Sequence, residues 1–254
     1  MINQIFTLHI STKWKRFLII FFLTGITIYN FEPTYIENIK NISMEDWLLE
    51  ISGSLLVIYF FATLSIIILT FDITQCLWTS FGTSLLSRIN KRNTLFWSYS
   101  FLIACIVTFV LISIIFWALT IGYFRYNGYS ETNIHPFFQL TDSSILFILI
   151  RWCINWWALY FIAILGVIGA FITKNILFSF LFSFSWSFGL LAAFKSGLFF
   201  KGLLPGEGMI LTVHEFGLSP LWISIINEIA ALLSLGILYL IINQTNLVVQ
   251  RTNR

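Results

Sequence analysis

Residues 145–173 read Ile-Leu-Phe-Ile-Leu-Ile-Arg-Trp-Cys-Ile-Asn-Trp-Trp-Ala-Leu-Tyr-Phe-Ile-Ala-Ile-Leu-Gly-Val-Ile-Gly-Ala-Phe-Ile-Thr. Arg151 is the one charge in the run, and there is no alternation of apolar and polar residues. A helix needs roughly 20 apolar residues to cross a bilayer, and barrel strands would alternate with period two. The run therefore predicts a membrane-spanning helix. Working outward, five more stretches share its character: about 17–31, 52–71, 100–122, 175–194 and 221–242. The expected fold is an all-α membrane protein of six transmembrane helices in a single domain, 1–254.

Composition agrees. The chain has 254 residues, 58% hydrophobic, 19% aromatic and 10% charged, with a mean hydropathy of +0.89. Soluble domains carry about 25% charge, so a water-soluble fold and intrinsic disorder are both excluded. The net charge of +3 gives no reason to expect a nucleic-acid partner. Cys76, Cys105 and Cys153 are scattered, and His9, His135 and His214 lie in three separate extramembrane segments. Neither set has metal-ligand spacing. His214-Glu215 opens like a zinc-protease motif, but Leu218 stands where its second histidine belongs.

Placing the N-terminus inside puts Lys13, Lys15, Arg16, Arg88, Lys91, Arg92, Lys174, Arg251 and Arg254 on the cytoplasmic side. The positive-inside rule selects this orientation, and six spans return the C-terminus to the same side. Glu32, Glu37, Glu45, Asp46, Glu50, Glu131, Asp142, Glu207 and Glu215 then fall outside. Ile2, Ile5, Phe6, Ile10 and Trp14 share one helical face, so 1–16 is expected as an amphipathic interfacial helix on the inner leaflet. The link 197–211 is too apolar for a solvent loop and too broken by Gly and Pro for a span. A re-entrant segment before the sixth helix is expected there.

Three groups of residues are candidates for function. Arg88, Lys91 and Arg92 concentrate charge in the longest inside loop, which could dock a protein partner or anionic lipid headgroups. Arg151 and Glu228 are the charges deepest in spans, both toward the outer leaflet, so an intramembrane pair is geometrically possible, either as a structural ion pair or as part of a substrate path. Ser179, Ser183 and Ser187 recur every fourth residue, as do the small pairs Gly166/Ala170 and Ala230/Ser234. They form a helix-packing face or the lining of a pathway. No P-loop, G-x-S-x-G or catalytic cluster occurs.

The loop reads Gly82-Thr83-Ser84-Leu85-Leu86-Ser87-Arg88-Ile89-Asn90-Lys91-Arg92. Its leucine run, arginine and second basic residue before the third span resemble the ABC-2-type permease subunits of ATP-binding-cassette exporters. The expected topology resembles them over the whole chain. Two features depart from the family pattern. Asp72 alone supplies the acidic residues expected before the leucine run, and Phe96-Trp97-Ser98 stand where a small residue and a lysine often open the third span. The resemblance implies a dimer of permease chains, identical or not, in a bacterial cytoplasmic membrane. It also implies a separate ATPase subunit that binds ATP and Mg²⁺ and docks on the N-terminal helix and the 73–97 loop. The implied cargo includes peptides such as bacteriocins and toxins, lipids, polysaccharides and drugs, and the aromatic-rich spans suit an amphipathic or hydrophobic peptide. The alternative function is a non-transporting immunity or scaffold protein of the membrane. This chain itself is expected to hold no cofactor and to be no enzyme.

Overall fold

The computed structural model describes residues 2–32, 42–71, 73, 92–126, 128–129, 144–196, 204–209 and 220–244. Among them the chain is all-α, without a β-strand element. Helix α1 is Ile2–Tyr29, α2 is Met44–Gly53, and α3 is Thr63–Thr70, joined to α2 by a π-helical segment, Leu55–Ala62. Helices α4 (Arg92–Arg125), α5 (Ser144–Thr173), α6 (Ile176–Lys195) and α7 (Pro220–Gln244) follow, with a 3₁₀ turn at Glu207–Met209.

Helices α4, α5 and α7 are long and apolar enough to cross a membrane, and α2 with the segment to Thr70 makes a fourth if the bent pair counts as one span. The other two expected spans are helical but shorter in apolar length. The uncharged part of α1 starts only at Phe17, and the apolar stretch of α6 is Leu177–Ala193. Large side chains face outward along the bundle, among them Ile19, Phe22 and Ile26 of α1, Phe101 and Ile112 of α4, and Leu232, Leu233 and Ile237 of α7. Apolar surface this extensive needs lipid, not water, around it.

Ring contacts give the direction of travel. Phe17 meets Phe109 at 5.2 Å, Phe21 meets Trp117 at 5.4 Å, and Arg125 Nη1 donates to the Phe31 carbonyl at 2.6 Å. Helices α1 and α4 therefore run parallel. The Arg16 guanidinium lies 5.6 Å from the Phe71 ring centroid, so α3 ends beside the middle of α1. Phe96 meets Tyr239 at 5.3 Å, so α7 ends where α4 begins. Helix α5 is the central one: 72% of its apolar stretch is buried, against 28% for α7. Ile154, Ala158, Ile162, Ala163 and Val167 are fully enclosed. It packs against α2, α3, α4, α6 and α7.

Three expectations change. Residues 1–16 do not form a separate helix: α1 is unbroken over 28 residues, because nothing between Lys13 and Phe17 interrupts helical hydrogen bonding. The third span, expected over 100–122, is part of a 34-residue helix, about 50 Å long at 1.5 Å per residue. That exceeds the roughly 30 Å hydrocarbon core, since the uncharged polar residues Asn93, Thr94 and Ser98 end a span without ending a helix. The second span, expected as one helix over 52–71, starts at Met44 and bends by 51°. Of the expected re-entrant link, residues 204–209 are described. Gly206, Glu207 and Met209 there are buried in the bundle.

The far end of the bundle is fastened by Trp47. Its Nε1 donates to the Ala118 carbonyl at 2.7 Å, and a Cβ on Gly122 would stand 2.6 Å from its ring and from the Tyr129 hydroxyl. Tyr129 donates to Leu119 O at 2.8 Å. Burial pushes its hydroxyl up to about 12, so it remains a neutral donor, and burial also raises Tyr126. Gly122→Ala is expected to cost about 1–3 kcal/mol by overpacking. Thermal unfolding and the emission maximum of tryptophan fluorescence should both register the displacement of Trp47.

Candidate functional site

A helix that ends inside protein leaves its last carbonyls without intrahelical donors. Helix α2 ends in this way. Its start is capped by Ser43, whose Oγ accepts from the Asp46 N–H at 3.0 Å. At its end Ser54 turns extended (φ −69°, ψ 121°), and its Oγ caps the next segment by accepting from Val57 N–H at 3.1 Å. Ser54 N–H donates back to Ile51 O at 3.1 Å. The Ser52 carbonyl is taken by Asn155 Nδ2 at 2.9 Å. Arg151 Nη2 lies 3.6 Å from the point a Cβ on Gly53 would occupy.

Arg151 and Asn155 sit one turn apart on α5, so they reach the joint from one side. They are 1% and 0% exposed. A cation at a helix C-terminus meets the negative end of its dipole, which gives the buried guanidinium a reason to be there. Asp46 and Glu50, also buried, are one turn apart on α2, and Gly53 follows three residues after Glu50 on the same face. The turn 207–209 packs against α5 and the π-helical segment, bringing buried Glu207 to the same end. It is held by Gly206 N–H donating to Asn227 Oδ1 at 2.8 Å and by Trp186 Nε1 donating to Pro205 O at 3.1 Å. Gly206 has φ +89°, a conformation that favours glycine.

Two buried oxygens, Thr63 Oγ1 on the broken span and Asn155 Oδ1 on α5 beside it, have no hydrogen-bond partner among the described residues. Each orphan costs about 1–3 kcal/mol. A bend and a π-helical stretch in one segment mark it as a joint.

The structure treats the sequence candidates differently. Arg151 is at the joint, and its described contact is with α2. Glu228 lies half-buried on α7, and its pairing with Arg151 stands as a proposal. Ser179, Ser183 and Ser187 are all buried in one face of α6. Ser183 donates to Ile162 O at 2.8 Å, Ser187 donates to Ser183 O at 2.9 Å, and the Tyr59 hydroxyl donates to the Ser187 carbonyl. Gly166 of α5 faces this row: a Cβ there would stand 2.5 Å from Ser183 Oγ. Arg88 and Lys91 lie outside the described residues, and Arg92 opens α4.

The sequence reading missed Asn155, Asp46, Glu50 and Asn227. Asn155, an amide four residues beyond the span's one cation, was the available signal. Among the described residues no group of three or more His, Cys, Asp or Glu could hold a metal ion. Comparison of the chain with protein-family models, curated proteins and solved structures finds no match.

Proposed function

We propose that the chain is the membrane-spanning permease subunit of an ATP-binding-cassette exporter. In this reading six segments cross a bacterial cytoplasmic membrane with both termini inside. Two such chains enclose the pathway, and a separate ATPase binds ATP and Mg²⁺. The cargo is an amphipathic or hydrophobic peptide.

One observation carries the reading: basic residues and helix ends gather toward one pole of the bundle. Parallel packing turns the starts of α1 and of α4, at Arg92, toward the same pole, and Lys13, Lys15 and Arg16 lie midway along α1 on the side of Phe17 nearer that pole. The Arg16–Phe71 contact sets the end of α3 level with Arg16, on the same half of the bundle. The segment that carries Arg88 and Lys91 thus leaves and re-enters the described structure on that half, where an ATPase would dock. At the opposite pole lie Asp46, Glu50 and the joint of the broken span. Discontinuous helices are where transporters build binding sites and hinges. A push on the basic pole would travel through α4 and the central α5 to that joint.

The test is affinity purification of the tagged protein in mild detergent, with mass spectrometry of what accompanies it. A stoichiometric ATPase is expected, and reversal of Arg88, Lys91 and Arg92 to glutamate should reduce its recovery at least tenfold. Purification without any ATPase, under conditions that preserve other transporters of this type, would favour the immunity or scaffold reading.

A further inference from the structure

We propose that the groove between α1 and α4, beside Lys13 and Lys15, holds one chain of an anionic phospholipid. The groove measures about 550 Å³ and is lined by Trp14, Leu18 and Phe21 of α1 and Leu102, Cys105 and Phe109 of α4. Its volume lies within the roughly 300–1,000 Å³ of small-molecule sites. Its walls are apolar and aromatic, so the occupant is hydrocarbon over that length. Trp14 to Phe21 rises only about 10 Å, and a helix with its side chains is about 10–12 Å across. Ten ångströms of helix with its side chains fills roughly 800–1,000 Å³, more than the groove holds, whereas the upper half of an acyl chain lies along it.

Charge at the mouth selects the headgroup. Lys13 and Lys15 flank Trp14 in sequence, so they leave α1 about 100° to either side of it. Lys15 is exposed and Lys13 half-buried. Trp14, itself 50% exposed, marks the level where indole rings favour the interface between lipid tails and headgroups. The phosphate of a phospholipid whose chain runs toward Phe21 would sit at that level, within the positive field of this turn of α1 and nearest the exposed Lys15. Phe17, stacked edge-on against Phe109 at 5.2 Å, braces the groove between its helices. The site is independent of any ATPase.

Native mass spectrometry of the purified protein, titrated with phosphatidylglycerol or phosphatidylcholine of identical chains, tests this. Wild type is expected to retain phosphatidylglycerol preferentially. Lys13→Gln with Lys15→Gln should reduce that preference by roughly fivefold per lysine, leaving chain binding intact. Leu18→Trp fills the groove from its exposed wall and should abolish retention of both lipids without lowering the unfolding temperature. Equal retention of the two lipids by wild type would overturn the proposal. So would phosphatidylglycerol retention unchanged by Leu18→Trp, or a dimer that Leu18→Trp converts to monomer, which would make a second copy the occupant.

Discussion

Arg151→Glu is expected to be the most damaging single substitution in the chain. It replaces a buried cation at the C-terminal end of α2 by an anion. The negative end of the helix dipole and the buried Asp46 and Glu50 on the same helix then repel it. The loss should be about 3–5 kcal/mol, the scale of an uncompensated buried charge. A membrane protein of ordinary stability would then not be recovered as a monodisperse species in mild detergent. Arg151→Lys keeps the charge and should retain most of the stability. Asn155→Leu orphans the Ser52 carbonyl and should cost about 1–3 kcal/mol. Thermal unfolding followed by size-exclusion chromatography ranks the three. Arg151→Glu as stable as wild type would remove the physical basis for the joint.

The second large effect is expected at Gly166. A Cβ there would stand 2.5 Å from Ser183 Oγ and 3.0 Å from the Ser179 carbonyl oxygen. The hydroxyl can rotate away at the loss of its bond to Ile162 O, but the carbonyl is backbone and cannot. Gly166→Leu must therefore separate α5 from α6. Overpacking of this kind costs about 1–3 kcal/mol or more. The specificity lies in the contrast with Gly189 and Gly236, where a Cβ meets nothing within 4 Å. Leucine at either should change stability by less than about 0.5 kcal/mol. A double-mutant cycle of Gly166→Ala with Ser183→Ala should show coupling, because removing Oγ relieves the closer of the two contacts.

These substitutions also show what hydropathy can read. Long apolar runs locate two of these helices closely: α5 begins at Ser144 against an expected 145, and α7 at Pro220 against 221. Charge marks where an apolar run stops, not where its helix stops: α1 continues through Lys13, Lys15 and Arg16. The break at Ser54 was hidden because Gly53 and Ser54 cost little hydropathy, and what bends the chain there is capping and a partner on another helix. Asp46 and Glu50 read as an outside loop for the same reason. Their burial comes from α2 folding against α4 and α5, which no local pattern records. The serine row of α6 was legible because its period is helical, and Arg151 because a lone charge in an apolar run is costly. That Arg151 meets Gly53, nearly a hundred residues away in the chain, was not.

The central claim is a six-span bundle with its basic pole in the cytoplasm. It is tested most directly by two single-cysteine variants, Ser87→Cys and Ser196→Cys, with Cys76, Cys105 and Cys153 replaced by serine. A membrane-impermeant maleimide is applied to intact and to permeabilised cells. Three helices, α4, α5 and α6, separate the two positions, so they must lie on opposite sides if all three cross. Cysteine at 196 should label on intact cells, and cysteine at 87 only after permeabilisation. Labelling of both from the same side would mean that an even number of these helices crosses, and labelling of 87 alone on intact cells would invert the basic pole. Either result contradicts the account.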